Sequence, residues 1–284
     1  MSLPKISVLI PCYNHEKYVA KCLESTVTAY SGELEVIICD DKSKDNSVNI
    51  IESFINGIKK DNITYSFFKN SKNQGVAKTL NECVRHATAD YIYTIASDDY
   101  LLEGGLTKAM SLLLQFQSDA VISDCLVVDG DSSVVNNSAF FEYRHASLKR
   151  LHKKLAEELV FNWVAPGPAL LQKKASCIDI GGYNERLIAE DRDYYLKLLA
   201  NKNAIFNLQP IAGYRVHLHN ASRSRVYLEK AGTEFCKVNY AASILYQGLP
   251  RLYLKSYWLD LNKIPLFLTS KIRKFIKALY ILRG

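Results

Sequence analysis

The first hundred residues alternate between short apolar runs and segments in which apolar residues have helical spacing, and this alternation limits the fold more than any other feature. The apolar runs are rich in β-branched and aromatic residues: ISVLI (6–10), LEVIIC (34–39), ITYSFF (63–68) and YIYTIA (91–96). In the intervening segments, apolar residues recur three or four positions apart, as they do along one face of a helix. Such an alternation predicts right-handed crossovers and a mainly parallel sheet that helices cover on both faces.

Each predicted strand ends in a polar segment, and ligands of such sheets bind at the carboxyl ends of the strands. The four segments are PCYN, DDKSKDNS, NSKNQG and SDDY. In the last one, an apolar run stops on two adjacent acids, Asp98 and Asp99, which repel each other when both are charged. A divalent cation is a common compensation for such a pair, so the sequence predicts a metal site here. The sequence contains neither GxGxxG nor GxxxxGK[ST], which excludes the two commonest nucleotide-binding loops.

The pattern after Gly104 is looser, but no repeat or low-complexity linker interrupts it. We therefore expect one continuous fold to about residue 225, followed by a mostly helical tail. The expected elements are helices at 106–116, 148–161 and 190–201, strands at 119–130 and 204–217, and a hairpin partner within 134–143.

Composition is that of an ordinary globular protein. The 284 residues are 48% hydrophobic, which suits one large domain or a core domain with an appendage. The seven cysteines form no CxxC pair, so neither a disulfide framework nor a zinc site is indicated. The start, MSLPKISVLIPCYN, has a five-residue apolar run, too short for a signal peptide or membrane anchor, and predicts a cytoplasmic location.

Seven segments in order resemble glycosyltransferase family 2, whose members are inverting enzymes with the GT-A fold. These segments are ISVLIPCYN, EVIICDDKSKDNS, NQG, ASDDY, GGYNE, AEDRDYYLKL and YRVHLHNAS. The resemblance implies an α/β, Rossmann-like sheet flanked by helices, with residues 1–103 as the nucleotide-sugar-binding half and residues 104–225 as the acceptor-binding half. It also implies a nucleotide-diphosphate sugar donor, UDP-sugar favoured, and Mn²⁺ or Mg²⁺ on the diphosphate.

The resemblance assigns residues on the donor side. Asp99 is expected to bind the metal directly, His217 to reach the metal or diphosphate, and Asp98 to face the sugar or ribose. Asp41 matches the acid that binds the nucleobase, although Asp40 and Asp41 are also explained as a simple strand end. The other donor residues implied by the resemblance are Pro11 and Tyr13, flanking the base, and Asn73, Gly75 and Lys78, near the diphosphate.

On the acceptor side, an inverting transfer needs one base that takes a proton from the acceptor hydroxyl. The resemblance assigns this role to Asp191 and places Glu190 beside it as a support or acceptor contact, although both acids also suit simple helix capping. Gly182 is expected near the acceptor. Trp163 offers a sugar-stacking face or is an ordinary buried tryptophan. His219 has no counterpart in the family pattern.

The tail, residues 226–284, carries ten lysines and arginines against three acids, a balance equal to the net charge of +7 for the chain. Its apolar residues Ile272, Phe275, Ile276, Leu279 and Tyr280 recur at helical spacing among lysines and arginines. Such a helix either lies on an anionic membrane surface or packs against the catalytic domain or a second subunit, as in a homo-oligomer. The tail is accompanied by no recognised nucleic-acid-binding module, so we expect no nucleic-acid partner.

Together these features predict a metal-dependent hexosyl- or N-acetylhexosaminyltransferase. Its acceptor would be a hydroxyl of a glycan or polyprenyl-linked oligosaccharide, in the synthesis of a bacterial surface polysaccharide such as O-antigen or capsule, at the inner face of the membrane. The alternative is a non-catalytic carbohydrate-binding or scaffold subunit with the same fold. A phosphorelay receiver domain would be far shorter and would leave the acids near residue 190 unexplained.

Overall fold

The computed structural model describes residues 3–217, 220 and 225–283, with the backbone alone at 225–229. His219 and the end of the YRVHLHNAS segment, apart from Asn220, lie outside the described residues. The strands are β1 (Ile6–Cys12), β2 (Leu34–Asp40), β3 (Ile63–Lys69), β4 (Tyr91–Thr94), β5 (Tyr100–Leu101), β6 (Ala120–Val128), β7 (Val134–Asn136), β8 (Leu170–Lys173) and β9 (Ala204–Arg215). The α-helices are α1 (Val19–Ala29), α2 (Ser47–Gly57), α3 (Val76–His86), α4 (Gly105–Gln115), α5 (Leu148–Lys153), α6 (Leu155–Phe161), α7 (Lys174–Asp179), α8 (Glu190–Asn201), α9 (Arg225–Ala242), α10 (Gly248–Lys255), α11 (Tyr257–Leu261) and α12 (Leu266–Leu282).

The described strands form one sheet in the order β3-β2-β1-β4-β8-β6-β9-β5, with β7 beside β6. The first four strands are parallel, as the alternation of strands and helices predicts. Strands β1 and β2 are almost entirely buried because they are central and helices cover both of their faces. Strand β3 is the edge strand, and most of its residues are partly exposed. The predicted GT-A arrangement of sheet and flanking helices is confirmed.

The other half of the sheet is mixed. Strand β8 is not among the elements predicted from the sequence, and it lies between β4 and β6, antiparallel to both. Strand β9 runs parallel to β6 and pairs with the short β5. The single helix predicted at 148–161 is instead two helices, α5 and α6, because Lys154 has φ −145° and ψ 49°. This break accompanies an ion pair in which Arg150 Nε lies 2.7 Å from the buried Glu158 Oε2.

The tail is helical, as predicted, and packs against the rest of the fold. A second small core joins it to α6 and α8 through Val160, Leu196, Val238, Ala242, Tyr246 and Leu254. Near the end of α12, the buried Tyr280 stacks on Phe161 with ring centroids 4.2 Å apart. Other apolar residues of α12, Leu266, Phe267 and Phe275 among them, remain exposed. Within the described ranges, none of the helices combines the length and apolarity needed to cross a membrane.

Candidate active site

Asp41 holds the loop that follows β3. It is buried, and its Oδ1 accepts hydrogen bonds from Asn70 Nδ2 at 2.9 Å and from the Gln74 amide at 2.8 Å. Its Oδ2 accepts from the Gly75 amide at 2.8 Å. Gly75 has φ +89°, a conformation that glycine adopts without strain. The carboxylate therefore links the end of β2 to the segment that precedes α3.

The other donor-side residues surround this loop along the carboxyl edge of the sheet. Pro11 is half-buried near the end of β1, and Tyr13 beyond it is 38% exposed. Asn73 is exposed in the loop, and Lys78 lies in the first turn of α3, where unpaired helical amides favour anions. The sheet thus brings an accessible aromatic ring and a cation to the same edge as Asp41.

Asp98 faces two histidines and an amide. Its Oδ2 lies 3.1 Å from His217 Nε2, 3.3 Å from Asn220 Nδ2 and 3.8 Å from His15 Nε2. Burial disfavours the charged form of Asp98, but the His217 hydrogen bond and the charges of both histidines outweigh it and lower the pKa of Asp98. His15 also pairs with Ser97 through Nδ1 at 2.7 Å. His217 therefore lies against Asp98, and His15 is a further imidazole in the cluster.

Asp99 has a different environment. Its Oδ1 accepts a hydrogen bond from the Arg215 backbone amide at 2.7 Å, and the pKa of Asp99 is raised well above its usual value by burial and by the neighbouring Asp98 charge. The Arg215 side chain is itself buried and donates to the Asp98 carbonyl at 2.6 Å. The adjacent acids thus have pKa shifts of opposite sign, because one is paired with histidines and the other is not.

A divalent cation fits the chemistry of this cluster. Carboxylate oxygens of Asp98 and Asp99 are hard ligands of the kind that Mg²⁺ and Mn²⁺ prefer, and His217 adds an imidazole. Across the residues that the structure describes, no three His, Cys, Asp or Glu side chains form a ready-made metal cage. Mg²⁺ is commonly held by only one or two carboxylates together with substrate phosphates, so two acids at one strand end suffice.

A second acidic pair, Glu190 and Asp191, begins helix α8. Burial and the Asp191 charge raise the pKa of Glu190 to about 8. Its Oε2 is buried and has no hydrogen-bond partner among the described residues. Asp191 is exposed to solvent, yet enough protein surrounds its carboxyl group to raise its pKa by desolvation, against the opposing charges of Arg192 and Arg144. The raised pKa therefore keeps a proton on Glu190 at neutral pH, and burial opposes ionisation of Asp191 as well.

The GGYNE turn that precedes α8 is fixed to α3. Asn81 on α3 accepts from the Tyr183 amide at 3.0 Å and donates to the Tyr183 carbonyl at 2.8 Å. Gly182 has φ +66°, and a Cβ at this position would lie 2.9 Å from Asn81 Oδ1. Only glycine fits such a turn without displacing its neighbour. Residues 182 and 183 therefore connect the α3 side of the sheet to the Glu190 side.

Trp163 is half-buried and packs against the core of the acceptor side. Its ring meets Tyr195 edge-on, with centroids 5.1 Å apart, and the Arg192 guanidinium lies 5.2 Å from the ring centroid. These contacts are typical of a structural tryptophan. They also place Trp163 against Arg192, the residue that follows Asp191 in the sequence.

Several residues near the two acidic pairs carried no recognisable sequence signal. Arg144 lies 3.4 Å from the Tyr214 hydroxyl, and its charge acts on Asp191. His15 follows the PCYN segment but contacts Asp98, which is 83 positions away. Arg192 directly follows the Glu190–Asp191 pair and is buried. Only the three-dimensional fold brings these side chains together.

The chain is similar to known glycosyltransferases in sequence and in fold. The model of the family described as glycosyl transferase family 2 matches residues 7–176, and the chain belongs to that family. The chain is 27% identical to chondroitin synthase of Escherichia coli over 90% of its length, and 26% identical to hyaluronan synthase of Pasteurella multocida over 99% of its length. It spans 34% and 27% of those two longer proteins.

Two solved structures share the fold. TarS residues 1–349 of S. aureus superimposes with a TM-score of 0.65 at 20% identity, covering 90% of this chain and 70% of that one; the same fragment has been solved with UDP and with UDP-GlcNAc. A mannosyltransferase of Pyrobaculum calidifontis, in complex with GDP-Man and Mn²⁺, superimposes with a TM-score of 0.62 at 16% identity, covering 100% of this chain and 77% of that one.

Proposed function

We propose that the protein is an inverting, metal-dependent glycosyltransferase that moves a hexose or N-acetylhexosamine from a nucleotide-diphosphate donor to an acceptor hydroxyl. The observation that carries this proposal is the Glu190–Asp191 pair. At the start of α8 it sets Glu190, whose pKa burial raises to about 8, beside the solvent-exposed Asp191, an arrangement that suits a catalytic base and its partner.

The donor nucleotide would lie along the carboxyl ends of β1, β2 and β3, so that residues 1–103 form the donor half. The half-buried Pro11 and the exposed ring of Tyr13 would flank the base, and Asp41, with Asn73 in the loop it holds, would contact the nucleotide. A UDP-sugar is the favoured donor. In support, TarS, which shares the fold, has been solved with UDP and with UDP-GlcNAc. Lys78, in the first turn of α3, would face the diphosphate.

Asp99 and His217 would hold Mn²⁺ or Mg²⁺, and Asp98 beside them would face the sugar or ribose of the donor. The bound cation supplies a Lewis acid that neutralises charge on the departing diphosphate. Until a ligand arrives, Asp98 is satisfied by His217 and Asn220, while burial disfavours ionisation of Asp99. The contacts of Asp98 with His217 and Asn220, and of Asp99 with the Arg215 amide, hold the two carboxyl groups in place at the end of the strand.

Residues 104–225 would form the acceptor half. Asp191 would take the proton of the acceptor hydroxyl as its oxygen attacks the anomeric carbon, while the bond from that carbon to the diphosphate oxygen breaks on the opposite side. One displacement of this kind inverts the anomeric configuration. The protonated Glu190 would orient the hydroxyl, and Gly182 and Trp163 would border the acceptor.

The acceptor would be a glycan or polyprenyl-linked oligosaccharide in a surface-polysaccharide pathway, in the cytoplasm at the inner face of the membrane. The chondroitin and hyaluronan synthase relatives support a polymer-forming role. The exposed Leu266, Phe267 and Phe275 on the basic helix α12 would touch the membrane or, as the competing occupant, a second copy of the chain.

Calorimetric titration with UDP, GDP and dTDP, each with and without Mn²⁺, tests the donor class. We expect metal-dependent binding of UDP, at least tenfold weaker in Asp99→Ala and unchanged in Asp61→Ala, an exposed acid outside the strand-end cluster. Incubation of UDP-sugars with oligosaccharide acceptors then tests turnover. Binding without any transfer or donor hydrolysis would favour a non-catalytic carbohydrate-binding subunit, and no nucleotide binding at all would refute the donor assignment.

A further inference from the structure

Helix α9, in the tail, contacts the backbone immediately before helix α8. Glu234 Oε2 accepts hydrogen bonds from the Ile188 amide at 2.8 Å and from the Ala189 amide at 3.3 Å. Ala189 is the N-cap residue of α8, and no side chain of its own caps this helix. One carboxylate from a distant part of the sequence therefore fixes the chain just ahead of Glu190 and Asp191.

A second contact from α9 lies one turn further along. Arg192 is 2% exposed, and its Nε and Nη2 donate to Asn239 Oδ1 at 3.1 and 2.7 Å. Asn239 is also fully buried, and its own Nδ2 donates to the Phe235 carbonyl at 2.6 Å. A buried guanidinium that loses such an acceptor retains unpaired donors in the interior, which is costly.

The remaining donors of Arg192 bind the end of helix α6. Nη1 donates to the Leu159 carbonyl at 2.6 Å and Nη2 to the Val160 carbonyl at 3.0 Å. These carbonyls lie in the last turn of α6, where the helix dipole favours a cation. Arg192 therefore connects three helices, α6, α8 and α9, directly beside Asp191, whose Oδ1 accepts from the Arg192 amide at 2.6 Å.

We propose that Glu234 and Asn239 are positioning residues for the Glu190–Asp191 pair, which makes helix α9 part of the active site. This inference rests on the proposed function. Base catalysis requires the carboxylate within hydrogen-bonding reach of the hydroxyl proton. A displacement of about 1 Å can lower the rate about 100-fold. Glu234 holds the backbone just before the pair, and Asn239 holds the side chain of Arg192 just after it, so the two contacts together fix its position.

Glu234 also acts electrostatically. Its charge and that of Asp191 face Glu190, whereas Arg144 and Arg192 face Asp191. Removing the negative charge of Glu234 while keeping an oxygen acceptor should lower the pKa of the pair. The acidic limb of the pH profile of kcat should then move to lower pH by about half a unit.

The test compares Glu234→Ala with Glu234→Gln, and Asn239→Ala with Asn239→Asp. Lys237→Ala, an exposed change on the same helix, is the control. The two alanine variants should lower kcat about 10- to 100-fold with little change in the UDP dissociation constant, because the donor half is untouched. Gln at position 234 retains an oxygen acceptor for the two amides, so Glu234→Gln should restore most of kcat. Asp at position 239 retains the acceptor for Arg192 but loses the donor to the Phe235 carbonyl, so Asn239→Asp should restore only part of kcat. Glu234→Gln should also show the shifted acidic limb.

Hydrogen exchange separates this inference from the proposed function. The amides of Ile188 and Ala189 should exchange at least tenfold faster in Glu234→Ala than in wild type or Lys237→Ala. Unchanged exchange, or an unchanged kcat in both alanine variants of an active protein, would overturn the positioning role alone. A wild-type protein without transfer or donor hydrolysis would overturn the proposed function and the positioning role with it.

Discussion

Glu190→Gln tests the electrostatic description of the second acidic pair most directly. Burial and the charge of Asp191 raise the pKa of Glu190 from its ordinary 4.5 to about 8. The folded protein therefore binds a proton at Glu190 that the unfolded chain releases above about pH 4.5. Wild-type stability should fall as pH rises from about 5 to 8, because folding opposes the ionisation that the unfolded chain undergoes freely.

The magnitude follows from the size of this pKa change. At about 1.4 kcal/mol for each pH unit, a rise from 4.5 to about 8 corresponds to at most about 5 kcal/mol above pH 8. Asp191 shares the proton, and water relaxes around a partly exposed pair, so we expect about 1–3 kcal/mol. Glutamine has nearly the same shape as glutamate and cannot ionise. It should stabilise the protein by this amount at pH 8 and by almost nothing at pH 5.

Urea unfolding of wild type and Glu190→Gln at pH 5, 6, 7 and 8 measures this difference. Glu103→Gln, at an exposed acid, is the matched control and should show no pH-dependent gain. The stabilised variant should also lose sugar transfer, because the glutamine cannot share a proton with Asp191. A stability difference that is independent of pH, or that grows toward acid, would refute the assignment of the raised pKa to Glu190.

Three further predictions concern other parts of the molecule. Asp41→Ala releases the loop amides that Asp41 holds, so it should weaken UDP binding at least tenfold in calorimetric titration. A smaller decrease in UDP affinity would contradict this role of Asp41. The positive charge of Arg144 lowers the pKa of Asp191, so Arg144→Ala should move the acidic limb of the pH profile of kcat to higher pH. An unchanged pH profile would show that Arg144 does not act on the base. Replacing the exposed Lys271 and Lys274 of α12 by glutamate should abolish sedimentation of the protein with phosphatidylglycerol vesicles and leave its UDP affinity unchanged. Sedimentation that persists in this variant would exclude an electrostatic membrane contact through these lysines.

The first part of the fold, up to β4, could be predicted because its pattern is local. The four parallel strands lie within two residues of their expected limits, and a helix occupies each segment between them, since each element is encoded by its own apolar periodicity. Strand β8 could not be found in this way. It has four residues, Leu170–Lys173, and becomes a strand only because β4 and β6 flank it. The break at Lys154 is equally invisible, since the apolar spacing continues through it.

The same distinction applies to the site. The acidic pairs stand out as adjacent letters in the sequence, and Glu190 was correctly expected to begin a helix. The partners of these acids were not predictable, because they come from remote segments. His15 reaches Asp98 across 83 positions, and Glu234 reaches the amides before α8 across more than 40 positions. Hydrogen bonds of this kind leave no local periodicity.

These remote partners also change the interpretation of the tail. Its basic, apolar pattern predicts a surface helix, and α12 keeps exposed apolar residues consistent with that role. Helix α9, however, supplies a carboxylate to the turn before α8 and a buried amide to Arg192. Burial of the polar Asn239 is costly unless its amide is paired, and Arg192 provides the pairing. A helix that served only as a membrane contact would not need this buried pair. The tail therefore has two parts: α9 packs beside the Glu190–Asp191 pair, and α12 keeps apolar residues exposed at the surface.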